Sequence, residues 1–142
     1  MMFIRLILPC AIAVSASFAS LNTAQAQPCS SNFTSAGVPM LSEISYRSWD
    51  LVKNPPAKAI SAAARVVSAE GFGAIRIDKA TNTLTALQDG AGSGRLQSLK
   101  ITARKSGGAT RLDLIFTVQA GQIGHEGEVR RGFCNVIEAA RR

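Results

Sequence analysis

The sequence predicts an α+β fold, a two-layer sandwich in which two helices cover one face of a mainly antiparallel sheet of four to five strands, in the order β-α-β-β-β-β-α. In two segments apolar residues recur every three to four positions, as on one face of a helix, and in four segments they recur at every second position, as on a strand. Short polar turns join the alternating segments, which indicates antiparallel pairing with one buried sheet face. The chain has 142 residues, of which 46% are hydrophobic and 18% charged, and this length and composition are typical of one folded domain.

Residues 1–26 have the features of a cleaved secretory signal peptide. Arg5 gives the start a positive charge, an apolar stretch follows from Leu6 to about Ala19, and Ala24–Ala26 forms the small-x-small pattern that signal peptidase accepts. The apolar stretch is shorter than the ~20 residues needed to span a bilayer, and the Gln-Pro pair before Cys29 does not fit a lipidation signal. We therefore expect a periplasmic or secreted protein whose mature part has no membrane span.

Removal of the signal peptide leaves two cysteines, Cys29 and Cys134. In an oxidising compartment a cysteine pair in a small domain is best explained as a disulfide, which here would join the start of the mature chain to the last predicted helix. Two buried free thiols are the alternative. A catalytic cysteine would need His125 as its base, and nothing in the sequence places these residues together.

The mature chain is predicted to divide into an irregular N-terminal segment, residues 27–43, and a single α+β domain, residues 44–142. The first segment is rich in Ser, Asn, Gly and Pro, which favour loops. The domain opens with Ile44–Val52, where the aromatic content and the Lys53–Pro56 stop favour a strand. Its large apolar residues do not keep one alternation, so a helix remains the competing interpretation.

Two segments have the periodicity of amphipathic helices. In the first, Pro56–Glu70, apolar residues fall on one face, Asn54 is a candidate N-cap and Gly71 supplies a left-handed C-terminal stop. The second, about Glu126–Arg141, has acidic residues in its first turn and arginines at its end, as the helix dipole favours.

Four further strands are predicted between the helices, each with apolar residues at alternate positions: Gly73–Lys79, Thr83–Gln88, Leu99–Arg104 and Arg111–Ala120. A Ser-Gly-Gly turn joins the last two as a hairpin. Two helices laid on one face of this sheet would bury both helical stripes and one sheet face.

The stretch Ala62–Leu87 carries a resemblance to a known group of domains. Its helix of small residues ends in the sequence Ala-Glu-Gly-Phe at Ala69–Phe72, and Ile75–Asp78 and Leu84–Ala86 follow. In this order of helix, Gly-aromatic step, Asp-containing turn and strand, the chain resembles small exported bacterial domains of the helix-grip type, such as the domains of the BamC lipoprotein of the outer-membrane assembly machinery. The resemblance implies a helix-grip-like fold and an envelope module without catalysis.

Four basic residues are expected on the sheet face opposite the helices. Arg76, Lys100, Arg104 and Arg111 alternate with the apolar positions of their strands, and threonines lie between them. One interpretation is a solvated polar face, and the other is a surface that contacts an anionic molecule.

A glycine-rich stretch, Asp89–Arg95, is a second candidate for anion binding. Its backbone N–H groups could face an anion and Arg95 could add a positive charge. The stretch lacks the Gly-Lys-Ser/Thr of a P-loop and precedes a strand rather than a helix. A flexible hairpin loop is therefore the competing interpretation.

No catalytic or metal site is predicted. His125 is the only histidine and has no visible nucleophile partner. Together with Glu126 and Glu128 it could offer three metal ligands, but their spacing at a helix start does not converge them, and zinc sites need at least three. We expect no cofactor and no enzymatic activity. We also expect no binding to nucleic acid, despite a net charge of +7, because the protein is exported and offers few aromatic residues for stacking.

Three hypotheses for function follow. The leading one is a non-enzymatic exported accessory or protein-interaction module of the cell envelope. The alternative is a binding domain for an anionic envelope ligand, a lipid A phosphate or an acidic polysaccharide, held by the basic sheet face or by a groove between helices and sheet. A small hydrolase is the third, and it lacks an assembled nucleophile–base pair.

Overall fold

The structure is a computed structural model that describes residues 28–142, and the predicted signal peptide lies outside the described residues. Residues 28–142 form six strands and three helices, with a one-turn 3-10 helix at Gly90–Gly92. In chain order the elements are α1 (Pro28–Ser31), β1 (Thr34–Ala36), β2 (Ile44–Val52), α2 (Pro56–Ala69), β3 (Gly73–Asp78), β4 (Thr83–Asp89), β5 (Leu96–Ser106), β6 (Ala109–Val118) and α3 (Glu126–Arg141).

The six strands form one open sheet in the order β1-β2-β6-β5-β4-β3, and every neighbouring pair is antiparallel. The central strands β5 and β6 are the longest and form the hairpin that the sequence predicts, with Ser106 opposite Ala109. The α+β class and the antiparallel sheet are thus confirmed.

The core lies between one sheet face and the two long helices. Alternate residues of β6 are buried, from Thr110 to Val118, and the other residues of this strand are only half-buried. The predicted stripes of α2 and α3 meet this inner face, with Ile60, Val67 and Ile137 at most 1% exposed. Burial of such side chains contributes about 1.5–3 kcal/mol each and is the main stabilising contribution here.

The segment Ile44–Val52 is a strand over its full predicted length. Its alternation is hard to recognise in the sequence because two inward positions are polar. Ser48 and Asp50 are 3% and 5% exposed; the Ser48 hydroxyl donates to the Cys29 carbonyl at 2.5 Å, and Asp50 pairs with Arg141 of α3. Each buried polar side chain therefore has a partner, which offsets its loss of water.

The expected count of two helices and four to five strands was too low. The additional elements, α1 and β1, lie in the segment predicted to be irregular. A four-residue helix and a three-residue strand have no periodicity that a sequence can reveal, and both are held by tertiary contacts. Helix α1 packs on α3 and β2, where Cys29 and Cys134 form a disulfide with their Cα atoms 5.6 Å apart.

The predicted N-cap of α2 was wrong. Pro55 occupies that position without a side-chain cap bond, and the Asn54 side chain instead donates to the Ala140 carbonyl at 2.8 Å. Asn54 therefore satisfies a carbonyl at the C-terminal end of α3, where four carbonyls lack helical partners. Among the described residues, no helix is both long enough and apolar enough to cross a bilayer.

Candidate ligand-binding cavity

A cavity of about 670 Å³ lies between α3, the end of α2 and one end of the sheet. The segments that enclose it at the open end are the β4–β5 connection and the loop that joins β6 to α3. Both segments lie at the same end because β4 and β6 each point towards it, on either side of β5.

The walls of the cavity are apolar. The sheet contributes Leu99 and Phe116, helix α3 contributes Phe133 and Val136, and Phe72 lies at the step after α2. Phe72 meets Phe116 edge to face, with ring centroids 5.9 Å apart. Such walls favour an apolar occupant because the free energy of its transfer from water to an apolar environment is favourable.

A glycine in the middle of α3 creates part of this space. Gly132 lines the cavity between Val129 and Val136, on the inward face of the helix. A Cβ atom built on Gly132 would meet no atom within 4 Å. Glycine in a helix interior costs about 0.5–1 kcal/mol relative to alanine, so this position leaves room at the expense of helix stability.

Gln122 holds the two enclosing segments together. This side chain is 9% exposed, and its amide nitrogen donates to the Arg95 carbonyl at 3.0 Å and to the Ser93 hydroxyl at 3.4 Å. Its amide oxygen accepts a hydrogen bond from the backbone N–H of Gln119 at 3.3 Å. A buried side-chain amide, whose nitrogen and oxygen both have hydrogen-bond partners, thus stabilises the edge of the cavity.

Tyr46 of β2 connects the loop before α3 to the sheet. Its hydroxyl donates to the Gly124 carbonyl at 3.1 Å, and the ring stacks against Phe116 at a centroid distance of 6.3 Å. Burial, with a smaller contribution from the negative charge of Glu126, raises the pKa of Tyr46 above its ordinary value. The hydroxyl therefore keeps its proton and remains a donor.

The charged groups that line the cavity are acidic. Glu70, Asp89 and Glu128 line it together with His125, and no lysine or arginine does so among the described residues. Asp89 accepts the backbone N–H of Gly94 at 3.0 Å, and Glu70 accepts the Asn135 amide at 3.3 Å. The charge at this site is unfavourable for an anion, although the chain as a whole is basic.

The basic residues predicted to bind anions do not form one site. Arg76, Lys100, Arg104 and Arg111 lie on the outer sheet face, opposite the helices, as expected from their alternation. Arg95 lies apart from them, in the β4–β5 connection, where its guanidinium donates to the Ala120 carbonyl at 2.5 Å.

Two of these arginines have a carboxylate partner. Arg104 and Arg111 both pair with Asp113, each at 2.9 Å. Arg111 also lies over the Trp49 ring, 4.1 Å from its centroid, a cation–π contact. Arg76 and Lys100 lie farther along the face.

The glycine-rich stretch closes on itself. Asp89 accepts the N–H of Gly94, and Ser93 N–H donates to the Gly90 carbonyl at 3.2 Å. The N–H of Arg95 donates to the Ser93 hydroxyl, so three of the N–H groups that would cradle an anion are used within the connection. His125 precedes α3 and, with Glu128, lines the cavity. In the described part of the chain no group of three or more His, Cys, Asp or Glu residues is placed to hold a metal ion.

Several residues that define the cavity were not predicted from the sequence. Gly132, Gln122 and Gly124 were treated as helix or loop positions without a role. The single available signal was Gly132, because a glycine within a helical apolar stripe calls for a packing or functional reason.

Comparison with known proteins shows the fold alone. No protein-family model matches the sequence, and no curated protein matches it. The structure is similar to CalU16 from Micromonospora echinospora, with a TM-score of 0.52, 13% identity and coverage of 75% of this chain and 80% of that one. It is also similar to Ara h 8.0201, with a TM-score of 0.50, 13% identity and coverage of 70% and 95%. Neither is a BamC domain, and the resemblance to those domains stays a prediction.

Proposed function

We propose that this chain is an exported, non-catalytic binding protein that holds one small, largely apolar molecule between α3 and the sheet. The observation that carries the proposal is the cavity of about 670 Å³ with its apolar walls. Sites for small molecules typically enclose about 300–1,000 Å³ and combine apolar walls with a few polar groups. Gly132 supports the proposal because a larger residue there would stabilise the helix and fill the space.

The polar groups at the cavity indicate that the ligand has a polar group and what charge this group carries. Gln88 and Gln97 line the cavity beside Glu70 and Glu128, so a hydrogen-bonding group finds both donors and acceptors there. A neutral or cationic polar group suits these carboxylates better than an anionic one. An anionic envelope ligand in this groove is therefore the weaker candidate.

The surroundings of Ser93 favour binding over hydrolysis. Among the described residues that line the cavity, Ser93 carries the only hydroxyl. Its oxygen accepts hydrogen bonds from the Arg95 N–H at 3.2 Å and from the Gln122 amide at 3.4 Å. A nucleophilic serine would instead donate to a general base.

The disulfide supports a place outside the cytoplasm, since such bonds persist in oxidising compartments. The protein would then act as an accessory of the envelope, with a bound small molecule as its cargo or its signal. Binding of an anionic ligand remains a second candidate only at the outer sheet face, where the basic residues lie.

Titration with N-phenyl-1-naphthylamine, a neutral apolar dye that fluoresces in dry sites, tests the proposal. We expect saturable binding of one dye per chain to the purified protein. Gly132→Leu places a side chain in the cavity and should abolish this binding, whereas Gly127→Leu, in the same helix but outside the cavity, should leave it unchanged.

Two results would overturn the proposal. One is dye binding that does not saturate or that is equal in both leucine variants. The other is an absence of binding by a protein whose circular dichroism and thermal transition show that it is folded. Displacement of the dye by dodecylamine and dodecanol but not by dodecanoate would support the expected polar group.

A further inference from the structure

A row of basic side chains crosses the outer face of the sheet. The strand register aligns Arg76 of β3 with Thr85, Thr85 with Lys100, Lys100 with Ile115, and Ile115 with Arg47 of β2. Arg47, Arg76 and Lys100 are exposed. The side chains of one such row point to the same side of the sheet.

The spacing in this row is regular. Neighbouring strands lie about 4.8 Å apart, and each cation is separated from the next by one strand that carries Thr85 or Ile115. The backbone positions of successive cations in the row are therefore about 10 Å apart, and no carboxylate lies between them in the row. The distance keeps their mutual repulsion small in salt, because it is close to a Debye length of about 8–10 Å.

The rest of the outer face adds apolar surface but no net charge. Arg104 and Arg111 share the carboxylate of Asp113, and the register places the exposed Asp78 on the same face, so the excess positive charge is that of Arg47, Lys100 and Arg76. Leu51 and Leu87 point to this side and are 45% and 37% exposed. The face thus combines unpaired cations with apolar side chains.

We propose that the outer face of the sheet, the row of Arg47, Lys100 and Arg76 with the neighbouring leucines, binds to the surface of an anionic lipid bilayer. Charge complementarity carries this inference: the face is basic, and its cations have long side chains that can reach phosphate groups. Lipid headgroups diffuse laterally and can adopt the 10 Å spacing of the row, so binding needs no preformed pocket on this face. The inference does not depend on what occupies the cavity, which opens on the other side of the sheet.

Sedimentation with vesicles tests the inference. The probe is a vesicle of 30% phosphatidylglycerol and 70% phosphatidylcholine at low ionic strength, with pure phosphatidylcholine as reference. We expect binding to the anionic vesicle alone, and loss of this binding as salt is raised.

The triple variant Arg47→Gln, Arg76→Gln, Lys100→Gln should lower the partition coefficient about a hundredfold, since each basic residue near an anionic surface contributes about a factor of five. The matched control removes three exposed cations elsewhere, Lys58→Gln, Arg65→Gln and Arg131→Gln. It has the same net charge and should bind almost as the parent does.

Equal losses in the two triple variants would overturn the inference, because overall charge and not this face would then cause the binding. Equal binding of the parent to both vesicles, or to neither, would also overturn it. If the face instead serves an acidic protein, the parent will fail to sediment with vesicles. Dye binding in the cavity should be the same in both triple variants, so failure here is distinguishable from failure of the proposed function.

Discussion

The hydroxyl of Tyr46 donates a hydrogen bond to the carbonyl of Gly124, 3.1 Å away, and a Cβ atom on Gly124 would lie 2.6 Å from that hydroxyl. A strand of the sheet and the loop that encloses the cavity are therefore in direct contact at a position where only glycine fits. The contact joins the core to the loop, because the Tyr46 ring packs between Phe33 and Phe116.

The variant Gly124→Ala should displace the loop before α3. The added methyl group would have to push aside the Tyr46 ring, whose nearest carbon would be 2.9 Å away, and the ring is held by the core. We expect unfolding free energy to fall by about 1–3 kcal/mol, as for overpacked sites, in urea denaturation. Gly127→Ala, with no atom within 4 Å, is the control. Equal stability of the two variants would contradict the close contact.

Stability should depend on Tyr46 at high pH. Burial raises the pKa of Tyr46 in the folded protein, so the folded state holds the phenolic proton more tightly than the unfolded state. This contribution is fully present below the unfolded pKa of about 10 and is lost as pH rises through the folded value. Urea denaturation between pH 9 and 11 should show a steeper loss of stability in the parent than in Tyr46→Phe. Identical slopes would argue against the raised pKa.

The variant Gly132→Ala should be more stable than the parent. The methyl group enters empty space, and alanine is favoured over glycine in a helix interior by about 0.5–1 kcal/mol. Dye affinity should fall at the same time because the methyl group occupies part of the cavity. Thermal denaturation and dye titration on the same samples measure both effects. A destabilised variant would mean that the position is packed.

Loss of the carboxylate of Asp50 should destabilise the fold. Its side chain is 7% exposed and pairs with Arg141, so Asp50→Ala removes the partner of a half-buried guanidinium at the end of α3. We expect a loss of about 2–3 kcal/mol. Glu138→Ala removes the other, more exposed partner of Arg141, at 3.3 Å, and should cost less than about 1 kcal/mol. The prediction fails if urea denaturation gives similar values for the two variants.

Removal of the disulfide should lower stability by about 2–5 kcal/mol. Cys29 and Cys134 are 105 positions apart, so the bond closes a long loop of the unfolded chain. The double variant Cys29→Ser, Cys134→Ser should unfold at lower urea concentration than the parent, and the reducing agent dithiothreitol should shift the parent but not the variant. A parent that does not respond to reduction while it unfolds would contradict this role.

Most of the two long helices and the sheet could be predicted because their periodicity reflects burial directly. Leu112, Leu114 and Phe116 lie at every second position of β6, and all three are buried. Strand β2 was ambiguous, since Ser48 and Asp50 occupy inward positions whose partners, Cys29 and Arg141, are remote in the sequence. The basic outer face followed from the same alternation, but the pairing of Arg104 and Arg111 with Asp113 depends on side-chain geometry.

The sequence by itself determined the α+β class, the order of the two long helices and four of the strands, and the sheet face of the residues in the clearly alternating strands, because local periodicity records which side of a segment avoids water. Only the tertiary structure decided where space is left unfilled and which charges meet. The cavity beside Gly132 is enclosed by residues of α2, α3, the sheet and two loops, and its acidic lining combines Glu70, Asp89 and Glu128 from separate segments. Contacts between such remote segments depend on the packing of the whole domain, and no local sequence pattern predicts them.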